Sequence, residues 1–203
     1  PPRSTQGVSS AASDVYKRQE GSWDDFHFYN GSILPQVKIV QPSIYHEYRG
    51  MITTTYHSDY YDKLLPAGER NEGLKFNHDR YSKSKEGVLR GLHYDDKTWK
   101  LISCPHGKLY LVVLDLREKQ PNYGKWESFI IGPETATQVL IPPMFANGHY
   151  VMEDNSIFQY KLAYKGEYYD DDKQGTVFWN DKKFNIDWPT ENPILSKRDK
   201  PKK

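Results

Sequence analysis

The chain has 203 residues, enough for one domain with a buried core and no disulfide staples. Lys and Arg total 28 against 27 Asp and Glu, a net charge of +1, so no cationic surplus marks the chain for nucleic acid or an anionic membrane. No run approaches the ~20 apolar residues that span a bilayer. The single cysteine, Cys104, excludes an internal disulfide framework and a cysteine-only zinc cluster. A cytoplasmic protein is expected.

Residues 1–19 carry no periodicity and no apolar stretch of the kind a secretion signal needs. The hexapeptide Asp14-Val15-Tyr16-Lys17-Arg18-Gln19 resembles the translation of a transposon end used in building sequencing libraries. The leader is therefore expected to be a cloning or assembly artefact, with a disordered natural N-terminus as the alternative, and 20–203 to form a single domain. Without its three basic residues and one acidic residue the net charge moves from +1 to −1, so the argument against nucleic acid stands.

From Val37 onward, short β-branched or aromatic runs are broken by Gly, Pro, Asn and Asp. Strands are expected at Val37–Val40, Gly50–Tyr56, Lys108–Leu116, Trp126–Ile131, Gln138–Ile141, His149–Met152, Ser156–Tyr164 and Gly175–Trp179. Strands at roughly 8–12-residue spacing indicate an all-β sandwich or barrel. One helix is expected at Ser58–Leu65, with Ser58 as N-cap and Pro66 beyond its end. Asp115-Leu116-Arg117 reads as a strand end with an ion pair or turn. The aromatic segments Trp179-Asn180-Asp181 and Trp188-Pro189 read as packing for a C-terminal segment, Cys104 as inert core, and the basic tail Lys197–Lys203, with Pro201 inside it, as fraying at its end.

The densest polar cluster is Gly87-Val88-Leu89-Arg90-Gly91-Leu92-His93-Tyr94, with Lys100 following. In a regular strand Arg90 and His93 would face opposite sides. A bulge at Gly91 would restore them to one face. On these residues alone, a satisfied core or rim histidine and a solvated edge lysine fit better than catalytic groups do. A second polar pair, Tyr160-Lys161, interrupts an apolar strand.

The run KSKEGVLRGLHY (83–94) resembles the signature of the nucleotide-4-keto-6-deoxysugar 3,5-epimerases, the dTDP-4-dehydrorhamnose 3,5-epimerase-like cupins. The resemblance continues in order through LVVLDLRE, GKW, IPPMFANGH, QYKLAY, FWND, IDWP and LSKRD. It implies an all-β cupin jelly-roll barrel with a few short helices, a nucleotide-sugar substrate, no cofactor or metal, and a homodimer. By the same resemblance His93 is the base that removes the proton beside the 4-keto group. Asp199 pairs with it, Tyr160 is the proton donor across the sugar, and Lys100 lies near the 4-oxygen. Arg90 and Arg49 match cationic groups around the nucleotide sugar, Arg49 often reaching across a dimer.

The chain departs from the common rhamnose-pathway pattern at several points. The loop from His93 to Lys100 is short, Asn147 stands where a histidine is usual, and His78 and Arg80 replace glutamine and asparagine. The segment Tyr164-Lys165-Gly166-Glu167-Tyr168 is also extended. These features, with LLPAG, GLKFNHD and KLAYKGEYYD, resemble the branch acting on GDP-linked 4-keto-6-deoxy-heptoses for bacterial capsules. His78, Arg80 and Asn147 are accordingly expected to touch substrate. Epimerisation at C3 alone, or ketone migration, remains open within this scaffold, as does a non-catalytic sugar-binding jelly roll. A metal-dependent cupin needs a histidine pair two residues apart, which His93-Tyr94-Asp95 does not offer.

Overall fold

The structure, a computed structural model, describes residues 26–68, 71–170 and 172–201. The leader 1–19 and the last two residues of the basic tail lie outside them.

Two antiparallel sheets face each other. The first has six strands: β1 (Phe26–Asn30), β2 (Lys38–Pro42), β5 (Phe76–Ser84), β7 (Trp99–His106), β10 (Gln138–Ile141) and β12 (Ser156–Ala163), in the spatial order β1-β2-β10-β7-β12-β5. The second has five: β6 (Leu89–Tyr94), β8 (Leu109–Asp115), β9 (Trp126–Ile131), β11 (Phe145–Val151) and β13 (Gly175–Thr176), in the order β13-β6-β11-β8-β9. A separate hairpin pairs β3 (Ile44–Glu47) with β4 (Gly50–Thr53). This is the expected all-β jelly roll.

Alternation along each strand divides the apolar residues among three clusters. Ile102 and Cys104 of β7, Leu109, Leu111 and Val113 of β8, and Phe145 and Val151 of β11 meet between the sheets. The outer face of the six-stranded sheet is covered by Tyr61, Leu64 and Leu65. The outer face of the other sheet presents Leu89, Leu92, Val112, Leu114 and Ala146 to a C-terminal strap carrying Trp179, Phe184, Ile186, Trp188 and Leu195. Trp188 Nε1 donates to the Trp179 carbonyl at 2.9 Å, which folds the strap on itself. The strap is thus packed as its aromatic residues suggest. Asp115, fully buried, takes two hydrogen bonds from the Arg117 guanidinium at 2.9 and 2.6 Å, closing the end of β8 with the expected ion pair.

The helix departs from expectation. It runs only as α1 (Ser58–Tyr61) before tightening into a 3-10 turn at Asp62–Leu64, and its N-cap is His57, not Ser58. The chain tightens where Asp62 Oδ1 accepts from the Phe76 N–H of β5 at 3.1 Å and from Tyr56 Oη at 3.2 Å.

Candidate active site

The β6–β11 pairing positions the base. Asn147 lies opposite His93 and His149 opposite Arg90, so two steps on β11 match three on β6. The extra residue in β6 is the bulge expected near Gly91. Gly91 has φ +110, and a Cβ there would stand 2.6 Å from the Gly148 Cα and 2.7 Å from the Asn147 carbonyl. Only glycine meets both the torsion and the space. Leu89 and Leu92 consequently share the outer cluster, while Arg90 and His93 turn together toward buried His149 between the sheets.

His93 Nε2 lies 2.7 Å from Asp199 Oδ1. Asp199 is only 2% exposed, and its second oxygen accepts from Ser196 Oγ at 2.8 Å. Burial raises the Asp199 carboxyl, but hydrogen bonds from His93, Ser196 and the Gly91 N–H outweigh it and hold the group below the usual carboxylate range. An ionised carboxylate can only accept, so Nε2 carries the proton. The lone pair is left on Nδ1, the nitrogen available to act as a base.

Across the barrel, β7 and β12 supply the polar groups. Lys100 is 8% exposed; its Nζ donates to Asn147 Oδ1 at 3.1 Å and reaches the His93 carbonyl at 3.5 Å. Burial lowers its pKa, Asp95 partly restores it, and Arg198 lowers it again. Tyr160 packs beside Phe158 at 5.4 Å between ring centroids. Burial raises its pKa despite the opposing charges of Arg80 and Arg90, so the phenol stays protonated at neutral pH. Arg90 is aimed by Ser84, whose Oγ accepts from Nε at 3.2 Å and from a terminal guanidinium nitrogen at 3.1 Å.

The rim is looser. His78 Nδ1 contacts Tyr164 Oη at 3.1 Å, and its ring meets Tyr168 edge-on at 4.9 Å. Arg80 lies over Tyr168 and pairs with Asp170 at 3.5 Å. The structure therefore gathers His93, Asp199, Lys100, Asn147, Arg90, Tyr160, Arg80 and His78 at one mouth of the barrel. Arg49 is not among them: it sits at the tip of the β3–β4 hairpin, 67% exposed and paired with Glu47 at 2.6 Å. Asn147, expected on substrate, accepts a hydrogen bond from Lys100.

In the sequence, His149 is marked only as the first residue of an expected strand. Its ring stacks on Phe158 at 4.0 Å and 8°, joining the two sheets directly beneath the site. Burial, then the charges of Arg90 and His93, push its pKa down to about 3, so it is neutral. Only the alternation Phe145, Asn147, His149, Val151 could have placed it inside. Among the described residues no group of three or more His, Cys, Asp or Glu side chains converges on a point where a metal ion could sit.

A jelly roll whose mouth sets a carboxylate-held imidazole opposite a protonated tyrosine and a buried lysine has the parts of a proton-transfer enzyme. Residues 32–203 match the family model for dTDP-4-dehydrorhamnose 3,5-epimerase. The chain is 32% identical over 169 residues to the dTDP-4-dehydrorhamnose 3,5-epimerase of Shigella flexneri, covering 82% of this chain and 89% of that protein. A solved structure of the Legionella pneumophila dTDP-6-deoxy-D-glucose-3,5-epimerase, in complex with dTDP-4-keto-L-rhamnose, is 32% identical. It superposes with a TM-score of 0.77 over 86% of this chain and 90% of that one. The Bacillus anthracis dTDP-4-dehydrorhamnose 3,5-epimerase, with TDP and PPi bound, gives 30% identity and 0.76 over 86% and 97%. The chain belongs to the dTDP-4-dehydrorhamnose 3,5-epimerase family of cupin jelly rolls, and is an isomerase.

Proposed function

We propose that this protein inverts carbons flanking the ketone of a dTDP-linked 4-keto-6-deoxy sugar, in deoxysugar biosynthesis. The observation that carries the reading is the His93–Asp199 pair at 2.7 Å, facing Tyr160 and Lys100 from the opposite sheet. The ketone already acidifies the neighbouring C–H bond, so a base, an acid and a cation suffice. His93 Nδ1 takes the proton, and its new charge is balanced by Asp199. The electron pair moves to the 4-oxygen as an enolate, opposite the Lys100 ammonium, a stabilisation of the kind worth a few kcal/mol. Tyr160 returns a proton to the other face of the carbon, inverting it; the His93 imidazolium then releases its proton to water and the phenolate recovers one, which resets both groups. General acid–base help of this kind supplies ~10²–10⁴-fold.

The dTDP nucleotide is supported by the family match and by ligands in the relatives' structures. A GDP-linked heptose is the second reading, favoured by the basic and aromatic rim of His78, Arg80, Tyr164 and Tyr168. The reading includes a homodimer in the cytoplasm that feeds surface polysaccharide. The hairpin that carries Arg49 exposes Tyr45, Tyr48, Met51 and Ile52, which supports association, and Arg49 would then reach the phosphates of a neighbouring subunit's substrate.

Proton NMR in D₂O tests this with a panel of dTDP- and GDP-linked 4-keto-6-deoxy sugars. Deuterium is expected at C3 and C5 of one dTDP sugar, and none with His93→Ala. Uptake only with a GDP-heptose reassigns the nucleotide, and uptake at C3 alone makes the enzyme a single-site epimerase. No uptake from a sugar that still binds refutes catalysis.

A further inference from the structure

The proposed reaction assigns no role to Asp95, yet the surroundings of Lys100 single it out. Lys100 is flanked along the sheet by Ile141 of β10 and Leu162 of β12, both apolar. Its two close acceptors, Asn147 Oδ1 at 3.1 Å and the His93 carbonyl at 3.5 Å, are neutral. A buried ammonium with neutral partners alone tends to lose its proton. The charged groups facing it are Arg198 on the C-terminal strap, which repels it, and Asp95 in the β6–β7 turn, which attracts it. The imidazole of His93 is engaged by Asp199.

Asp95 is built to stay where it is. Its side chain is 1% exposed. Oδ1 accepts from the N–H groups of Lys97 at 3.0 Å and Thr98 at 2.6 Å, and its own carbonyl accepts from the Met144 N–H at 2.8 Å. The other oxygen, Oδ2, makes no hydrogen bond among the described residues and points to the Lys100 ammonium 3.9 Å away. That is too long for a hydrogen bond, so Asp95 contributes its charge without capturing the donor. The ammonium has three hydrogens, two of them directed to Asn147 and His93, and the third is left for a ligand.

We infer that Asp95 is a positioning residue for the epimerisation, its fixed carboxylate keeping Lys100 protonated and its distance leaving one ammonium hydrogen for the ketone oxygen. The short turn between His93 and Lys100 is what brings this carboxylate within reach. The inference rests on the role given to Lys100 above.

Asp95→Asn tests it cleanly, because the amide oxygen can still accept from Lys97 and Thr98 while the charge is gone. Asp96→Asn, which removes the same charge from the exposed neighbouring position, is the control. In protein labelled with ¹³C at lysine Cε, and with the Lys100 signal assigned by its loss in Lys100→Met, that signal should titrate at lower pH in Asp95→Asn than in the native chain or in Asp96→Asn. In turnover, Asp95→Asn should lower kcat about tenfold at alkaline pH, roughly one power of ten in rate. KM should stay unchanged and kcat should recover as the pH falls. An unshifted Lys100 titration overturns the inference. So does a shifted titration with an unchanged kcat profile, or a pH-independent loss that tracks lowered thermal stability. If Lys100→Met itself keeps full kcat, the proposed chemistry fails instead, and the titration shows this separately from any fault in the Asp95 assignment.

Discussion

The two walls of the barrel mouth are finished to different degrees. On the side of the five-stranded sheet, His93 and Asp199 are locked by contacts of 2.7 and 2.8 Å, and the carboxylate, brought in by the C-terminal segment, is buried. Facing it on the six-stranded sheet, Arg80 is 41% exposed and holds Asp170 at only 3.5 Å, while Tyr160 is packed against Phe158 with no hydrogen bond to its phenol among the described residues. The difference indicates where reorganisation is avoided and where it is left to the ligand. A base must be oriented before the C–H bond can break, so its partner is fixed in advance. Groups that meet a charged, flexible nucleotide sugar need only be supplied in the right place.

The sharpest way to break this contrast is Asp199→Asn. The amide can present its NH₂ to His93, forcing the wrong tautomer on the imidazole, so kcat should fall on the order of 10²–10⁴-fold. Nucleotide binding, measured by calorimetry with the free nucleoside diphosphate, should be unchanged. A mild loss would mean that the locked wall is structural only. Tyr160→Phe probes the open wall. Here solvent deuterium should still enter at one carbon, because His93 is intact, while formation of the inverted product drops about 10²-fold. Equal loss of exchange and inversion would move the donor role to another group.

The smallest effect concerns what joins the walls. His149 carries a buried Nε2 with no hydrogen-bond partner among the described residues, and such a group costs about 1–3 kcal/mol. His149→Phe keeps the stack on Phe158 and should raise stability in denaturant by about 1 kcal/mol at pH 7. The pH dependence follows from linkage. The folded His149 stays neutral down to about pH 3, whereas the unfolded side chain takes a proton below ~6.5. Between those values the unfolded state binds more protons, so native stability falls on acidification by up to about 1.4 kcal/mol per pH unit from this group. Depressed Asp199 adds a loss of the same sign at lower pH. The phenylalanine variant should lose less stability than the native chain from pH 6 to 4.

The strands most legible in the sequence are those with one dominant character. Trp126–Ile131 and Gln138–Ile141 fall where the apolar runs place them, and the boundaries of Leu109–Asp115 differ by a residue at each end. The strands not read are β1, β3, β5, β6 and β7, and of these β5 and β7 are two that line the site. β5 reads FNHDRYSKS, polar throughout, and β7 contains Lys100 and Pro105. Function requires polar residues on the inner face there, which erases the alternation that would identify a strand. Arg90 and His93 could be placed together because Gly91 leaves a local trace. The link from Lys100 to Asn147 could not, since a hydrogen bond between strands of opposite sheets depends on register and closure. Arg49 shows the converse: a motif can match while the single chain holds the residue elsewhere.

His93 and Asp199 are separated by 106 residues, and the strap that delivers the carboxylate meets the barrel through an outer cluster distinct from the core between the sheets. Cooperative units of a protein open at different free energies. Peeling the strap exposes Trp179 and Trp188 and withdraws Asp199 while the core between the sheets stays closed. Catalytic competence should therefore have its own melting curve, with indole fluorescence reporting on it, and activity is expected to be lost at denaturant concentrations that leave the barrel folded.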